Sequence, residues 1–274
     1  MSFYTSLSGL KGAQTDLSVV ANNVANVSSI AFKKSKAMFG DIFASSGGGM
    51  SAGNGVRLID LKQQFTQGTL ETTDKTLDLA VTGEGFFTVK GAGATGRTTY
   101  TRAGAFAIDK DRYVIDTTGS RLQVLPDADQ DGRADNTAAG SLTDLLIPTV
   151  DPNDATNQLS AVSISETGLV AATFADGSVL NLGVIAMASF PAQDELQQMG
   201  DAHWIATGSS GAAVYGEGNG GLFGAVRSGT LERSNVDITE ELVALISAQR
   251  NFQANAKAIE TQSTMSQAII NMRS

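Results

Sequence analysis

The 274-residue chain contains no cysteine, which excludes disulfides, thiolate metal sites and cysteine nucleophiles together. That absence suits a protein that passes between redox compartments without mispairing. One histidine, His203, leaves little for general-base or metal chemistry, and beside the only tryptophan it reads as a packed strand residue. Only four prolines occur, and no run approaches the roughly 18 consecutive apolar residues of a membrane span. The opening Met1-Ser2-Phe3-Tyr4 lacks a basic region followed by an apolar one, so any export is expected to use a route that reads no cleavable signal. Basic charge is scarce as well. Nineteen Lys and Arg face 28 Asp and Glu, and the net charge of −9 argues against binding nucleic acid through its phosphates. No Ser/His/Asp arrangement, Walker loop or dinucleotide fingerprint is present; Gly83-Glu84-Gly85 lacks the rest of one. An enzyme is not expected.

What is present is unevenly distributed. Phe3, Leu7, Leu10, Gln14, Leu17, Ala21 and Val24 step by four and three, a heptad stripe in a proline-free stretch. The far end repeats the pattern through Ile238, Leu242, Leu245, Gln249, Phe252, Ala256, Ile259, Ser263, Ser266 and Ile270. Asn235, or Asp237 with Glu240 three residues on, supplies a start signal for this second helix. Both stripes are thin, because polar residues interrupt them. Two such helices gain little from each other and are expected to need neighbouring copies to stay folded.

Between the ends the period shortens to that of strands. Val56–Leu61, Leu77–Val81, Phe86–Val89, Tyr100–Ile108, Tyr113–Asp116 and Arg121–Leu125 are expected strands, with Gly83-Glu84-Gly85 as a hairpin turn. Further strands are expected at Ala161–Ile164, Leu169–Phe174, Val179–Leu182 and Val184–Phe190, the middle pair joined at Asp176-Gly177. Glycine-rich stretches at 47–49, 53–55 and 216–224 read as connections. The expected class is α+β: a coiled-coil-like inner domain of the two terminal amphipathic helices, and a discontinuous antiparallel β domain of sandwich or barrel type. The expected boundaries are 1–32 and 235–274 for the helices, 33–75 and 216–234 for extended connections, and 76–215 for the β domain.

Ala21-Asn22-Asn23-Val24-Ala25-Asn26-Val27 resembles the ANNxAN signature of bacterial flagellar rod and hook proteins. In that family a Thr-x-Gly-Phe-Lys segment follows; here Ser29-Ile30-Ala31-Phe32-Lys33 keeps Phe32 and Lys33 but puts Ala31 in the glycine's place. Leu77–Phe87 resembles the family's LDxAIxGxGFF segment, and Tyr100–Phe106 its YTRxGxF segment. Ser234-Asn235-Val236-Asp237 and Ala248-Gln249-Arg250-Asn251-Phe252-Gln253 resemble its C-terminal signature. Hook-type members are resembled more than rod-type ones, although the length is nearer that of a distal rod subunit.

The resemblance implies a structural subunit that polymerises with many copies of itself and passes motor torque to a filament. Its implied partners are the distal rod, the hook–filament junction proteins, a hook cap during assembly and the flagellar type III export apparatus. The implied place is an extracellular hook, or a periplasm-spanning rod in the alternative. Leu7, Leu10, Leu17, Val24, Leu242, Leu245, Phe252 and Ile259 are the expected contacts between copies. No cofactor is expected. One acidic stretch has metal-ligand spacing: Asp127, Asp129, Asp131 and Asp135 stand at loop positions 1, 3, 5 and 9, with Gly132 at 6. Ala138 replaces the glutamate an EF-hand needs at position 12, so an acidic turn and a calcium loop both remain open. A different reading of the whole is a calcium-dependent binding module whose end helices pair within one chain.

Overall fold

Free of proline, Phe3–Ala25 forms helix α1. Beyond it the chain forms two antiparallel strands, β1 (Ser35–Phe43) and β2 (Gly53–Gln63), and near its end helix α2 (Ile238–Arg273). The computed structural model describes residues 3–43, 53–91, 93, 96–152, 154 and 156–273, so the glycines at 47–49 lie outside the described residues. These four elements make one compact unit of 1–28, 33–64 and 236–274; residues 29–32 and 65–235 make a second.

In the first unit β1 and β2 pair from Ser35 opposite Gln63 to Phe43 opposite Gly53, with register shifts after Met38 and Asp41. The pair packs on α1 where α1 is smallest. Gly12 lies against Val56 and the Phe39 ring, and Ser8 Oγ accepts the Val56 N–H at 3.2 Å. The extended connection expected over 33–75 is divided instead: 33–64 falls in the helical unit and carries the β1–β2 pair, and 65–75 falls in the second unit. Gly53-Asn54-Gly55 opens β2 instead of forming a loose link. Asp237 starts α2 by accepting the Thr239 and Glu240 N–H groups at 2.8 and 3.1 Å, so it is the N-cap and Asn235 is not. Glu240 pairs with Lys34 at 3.2 Å.

Among its described residues the second unit holds a 13-stranded antiparallel sheet and two two-stranded pairs. Its organising strand is Phe86–Lys90, buried over its first four residues. Successive strand residues point to opposite faces, so the double phenylalanine feeds two cores at once. Phe87 and Val89 join Leu79, Val81, Val114, Leu122, Ile147, Ile185 and Val226 on one side. Phe86 joins Tyr100, Phe190 and Trp204 on the other. Leu169–Phe174 and Val179–Ile185 pair across Asp176-Gly177 as the sequence indicates.

The Gly83–Gly85 hairpin does not form. Leu79–Thr82 pairs with Ala225–Ser228, whereas Phe86–Lys90 pairs with Thr98–Thr101, Arg121–Leu125 and Met187–Ser189. Gly83 and Gly85 have φ of 114° and 123°, and a Cβ on Gly83 would lie 3.1 Å from Gly224 Cα. The glycines serve a sheet-to-sheet crossing with a close neighbour, not a tight turn. The stretch 216–234, expected as a connection, contributes Ala225–Ser228 and Thr230–Glu232, the latter paired with Leu70–Thr72. The expected strand Tyr100–Ile108 is split into Thr98–Thr101 and Ala107–Ile108, broken where Gly104 meets Leu79.

Ala31 adopts φ of 54° while fully buried, its N–H donating to Glu232 O at 2.8 Å. The turn that favours glycine is therefore kept with alanine, at a cost of about 1 kcal/mol.

His203 is buried between two acceptors. One ring nitrogen donates to Asp116 Oδ2 and the other to Asp201 O, both at 2.7 Å. Two acceptors need two N–H groups, which is the imidazolium form. Burial alone would lower the His203 pKa, but Asp116 and the Asp201 carbonyl outweigh it and raise it above 6.5. For Asp116, burial raises and the bonds from His203, Thr118 and Ser120 lower, with a net fall below 3.8. The raised histidine stabilises the fold fully below pH 6.5 and loses that contribution as pH rises through its folded pKa. Thermal melts should show stability falling above pH 6.5, with a slope of at most about 1.4 kcal/mol per pH unit. His203→Gln should flatten that slope; an unchanged slope would refute the assignment.

Candidate assembly surface

Helices α1 and α2 lie side by side in opposite directions. Asn23 near the end of α1 bonds Glu241 in the first turn of α2, and Gly9 sits against Asn255. The spacing is equal on both helices, 9 to 23 and 241 to 255. Ser6, Ala13, Val20 and Asn23 are buried on α1, and Glu241 and Ala248 on α2. A Cβ on Gly9 would come within 2.5 Å of Asn255 Oδ1, so glycine permits the close approach. The helices thus pair within one chain, through small and polar residues.

Asn23 holds this unit at one point. It is 2% exposed; its Nδ2 donates to Ser35 O at 2.9 Å and Glu241 Oε2 at 3.1 Å, and its Oδ1 accepts the Ser35 N–H at 3.0 Å. Only a side chain that both donates and accepts can join α1, β1 and α2 in this way. The other motif residues divide between fold and surface. Asn26 Nδ2 donates to Asn22 O at 3.0 Å, while the Asn22 side chain is exposed. Lys33 and Ser234 are buried, and Asn235 donates its N–H to Phe32 O and its Nδ2 to Thr66 Oγ1. Gln249 and Arg250 are exposed.

The positions chosen from the apolar stripes divide too. Leu7, Leu10, Leu17 and Val24 on α1, and Leu245, Phe252 and Ile259 on α2, are half-buried; Leu242 is 44% exposed. Pairing within the chain leaves part of each stripe open. Most large exposed hydrophobics among the described residues belong to this unit: Phe3 and Tyr4; Leu58, Ile59 and Leu61 on β2; and Ile238, Leu242, Val243 and Ile246 at the start of α2.

The far end of α2 is barer still. Counting back from Gly9 opposite Asn255, α1 reaches its first residue opposite about 261, whereas α2 continues to Arg273. Every residue from Ser263 to Met272 is exposed, including Met265, Ile269, Ile270 and Met272. The stripe reading reached Ile270 but missed Met265, Ile269 and Met272, which stand off the four-three step. It also missed the Ser6–Ala13–Val20 seam, whose seven-residue spacing is legible but made of small side chains.

In the second unit, Asp127, Asp129 and Asp135 bring one carboxylate oxygen each to within 4.8 Å of one another. Asp131 Oδ1 instead accepts the Arg133 N–H at 2.8 Å. No helix among the described residues is long and apolar enough to cross a membrane.

Three family models match in chain order: Flagella basal body rod protein over 3–29, Flagellar hook protein FlgE/F/G D1 domain over 80–172, and Flagellar basal body rod FlgEFG protein C-terminal over 227–272. The chain is 34% identical to the flagellar basal-body rod protein FlgG of Bacillus subtilis, over 99% of this chain and 98% of that one. It is 31% identical to the FlgG of Agrobacterium fabrum, over 95% of each. It is also 26% identical to the flagellar hook protein FlgE of Salmonella typhimurium, over the whole of both. With two relatives above 30% identity across nearly their full lengths, this chain belongs to the flagellar rod and hook protein family, whose members are structural proteins and not enzymes.

Proposed function

We propose that the chain is a self-assembling subunit of a flagellar axial tube, in which neighbouring copies cover the apolar surface that its own fold leaves open. The observation that carries this is the overhang of α2: ten consecutive exposed residues that include Met265, Ile269, Ile270 and Met272. Isolated helix of this length is marginal in water, and apolar area left uncovered forgoes about 25 cal/mol per Å². Covering it with another copy recovers both terms. The half-buried Leu7, Leu10, Leu17 and Val24, with exposed Leu242, extend the same open surface along the helix pair.

Ile269→Asp with Ile270→Asp is the direct test, because both side chains lie past α1 and support nothing within the chain. The purified variant should melt as wild type does, yet form no tubes by negative-stain microscopy where wild type polymerises. Burying two unpaired carboxylates is costly enough to abolish the contact. Tubes of normal length would refute the proposal.

Within the family we favour the hook-type place, with torque carried through a tube that bends. Ser234–Asp237, Ala248–Gln253 and the opening Met1-Ser2-Phe3 support it. The distal rod is a second reading with its own support: the FlgG match of Bacillus subtilis runs over 287 positions, whereas the FlgE match needs 409 to span a chain of 274. Partners then follow the place: distal rod and junction proteins at the ends, a cap during growth, and the type III apparatus for export. Electron micrographs of a strain lacking the chain separate the two. A retained rod without hook supports the first, and a truncated rod supports the second.

A further inference from the structure

We propose that the loop 127–135 of the second unit is a calcium site. Asp127 is 8% exposed, and its two carboxylate oxygens have different surroundings. Oδ2 accepts the Gly132 N–H and the Asn181 Nδ2, both at 3.0 Å. Oδ1 is sealed from solvent and meets no donor among the described residues. A buried carboxylate oxygen without a donor is an incomplete environment, and here it belongs to a residue whose carboxylate is grouped with those of Asp129 and Asp135. A cation bound among the three completes it.

The charges lead to the same place. Arg133 is the only cationic residue within 127–135. Glu217 adds a further carboxylate beside the loop, its Oε2 accepting the Ala134 N–H at 3.4 Å. The backbone is already shaped: Gln130 and Gly132 hold φ of 57° and 84°, and Asn181 Nδ2 ties Gln130 O to the neighbouring strand Val179–Ile185 at 3.2 Å.

The donor set selects the ion. Oxygen ligands without His or Cys favour hard cations over zinc, and a group of carboxylates with two exposed members suits a hard cation of flexible coordination more than octahedral magnesium. Ala138 stands where an EF-hand places its bidentate glutamate, so water or backbone oxygen must fill the remaining positions. Affinity is then expected in the weak extracellular class, about 10⁻⁴–10⁻³ M. The ion would fasten the loop to the strand Val179–Ile185.

The test is calorimetry of the full chain with CaCl2 after chelator treatment, repeated with MgCl2. A saturable heat of about one calcium per chain is expected, with magnesium at least tenfold weaker. Asp129→Asn with Asp135→Asn should weaken calcium binding at least tenfold while circular dichroism shows an unchanged fold. Five millimolar calcium should raise the wild-type melting temperature by about 3–8 °C over EDTA and leave that variant unmoved. Asp127→Asn supplies a reversal: in EDTA it should match or exceed wild type, because a buried charge is gone, and in calcium it should fall below. No saturable heat with folded protein, an equal isotherm in the variant, or equal binding of magnesium would overturn the proposal, the last two by marking a diffuse acidic surface.

Discussion

Glu232→Ala should destabilise the second unit by about 3–5 kcal/mol, the range for removing one partner of a buried ion pair. Glu232 is fully buried, with its Oε2 3.8 Å from Arg102, itself 1% exposed. Its Oε1 accepts the Gly68 N–H at 2.8 Å. The Arg102 guanidinium is already poorly served: none of its nitrogens has a hydrogen-bond partner among the described residues, and it lies 5.3 Å from the Phe86 ring centroid. Burial pushes its pKa down, and Glu232 and then Glu84 pull it back. Glu84 is mostly exposed and stands 3.9 Å away, so it cannot replace Glu232. Alanine at 232 therefore leaves a buried cation nearly alone. Chemical denaturation should show the loss in the midpoint. Arg102→Met combined with Glu232→Gln, which removes both charges and keeps an acceptor for Gly68, should recover most of it. Equal losses in the single and double variants would show that the charge pair is not what holds this site.

Gly104→Ala should cost about 3 kcal/mol or more, beyond the usual range for added methyl groups. A Cβ there would lie 2.6 Å from the Leu79 carbonyl carbon and 3.1 Å from its Cα. Backbone cannot rotate away as a side chain can. Leu79 is fully buried in the larger core, and its N–H donates to Gly104 O at 2.9 Å, so the displaced segment carries core contacts with it. A melting temperature within about 2 °C of wild type would show that the two segments separate more freely than their packing indicates. A Gly140→Ala control, with nothing within 4 Å of its added carbon, should be nearly silent.

The two helices were legible because one repeated period runs through each, and the start of α2 because Asp237 offers an oxygen to two otherwise unpaired N–H groups. Arg121–Leu125 and the pair around Asp176-Gly177 were legible from local alternation and turn residues. Partner choice was not. Gly83-Glu84-Gly85 has the composition of a hairpin turn, yet Leu79–Thr82 pairs with a strand about 145 residues away, which no local pattern can encode. The strands β1 and β2 are flanked by glycines that resemble a linker, but Gly53 opens β2 and Gly55 makes room for Ser8. The pairing of the helices within the chain is built on Ser6, Gly9, Ala13 and Asn23, which carry no apolar signal. Apolar periodicity finds what is greasy, not what is close. The departure at Ala31 was visible in sequence, but its outcome was not: the backbone held its positive φ because the surrounding bonds fix it.

The unequal lengths of the paired helices have a directional consequence. With about 1.5 Å per residue, α2 outreaches α1 by roughly 18 Å. A contact that seats this tip in a different part of the next copy would be heterologous, consuming one tip and presenting another, and it builds an open filament wherever the rotation between copies does not close a ring. Such a step repeats with a fixed heading, and the two ends of the growing object are chemically unlike. One end would then show bare tips and the other vacant receptors, so that a subunit of a single sequence could still tell up from down.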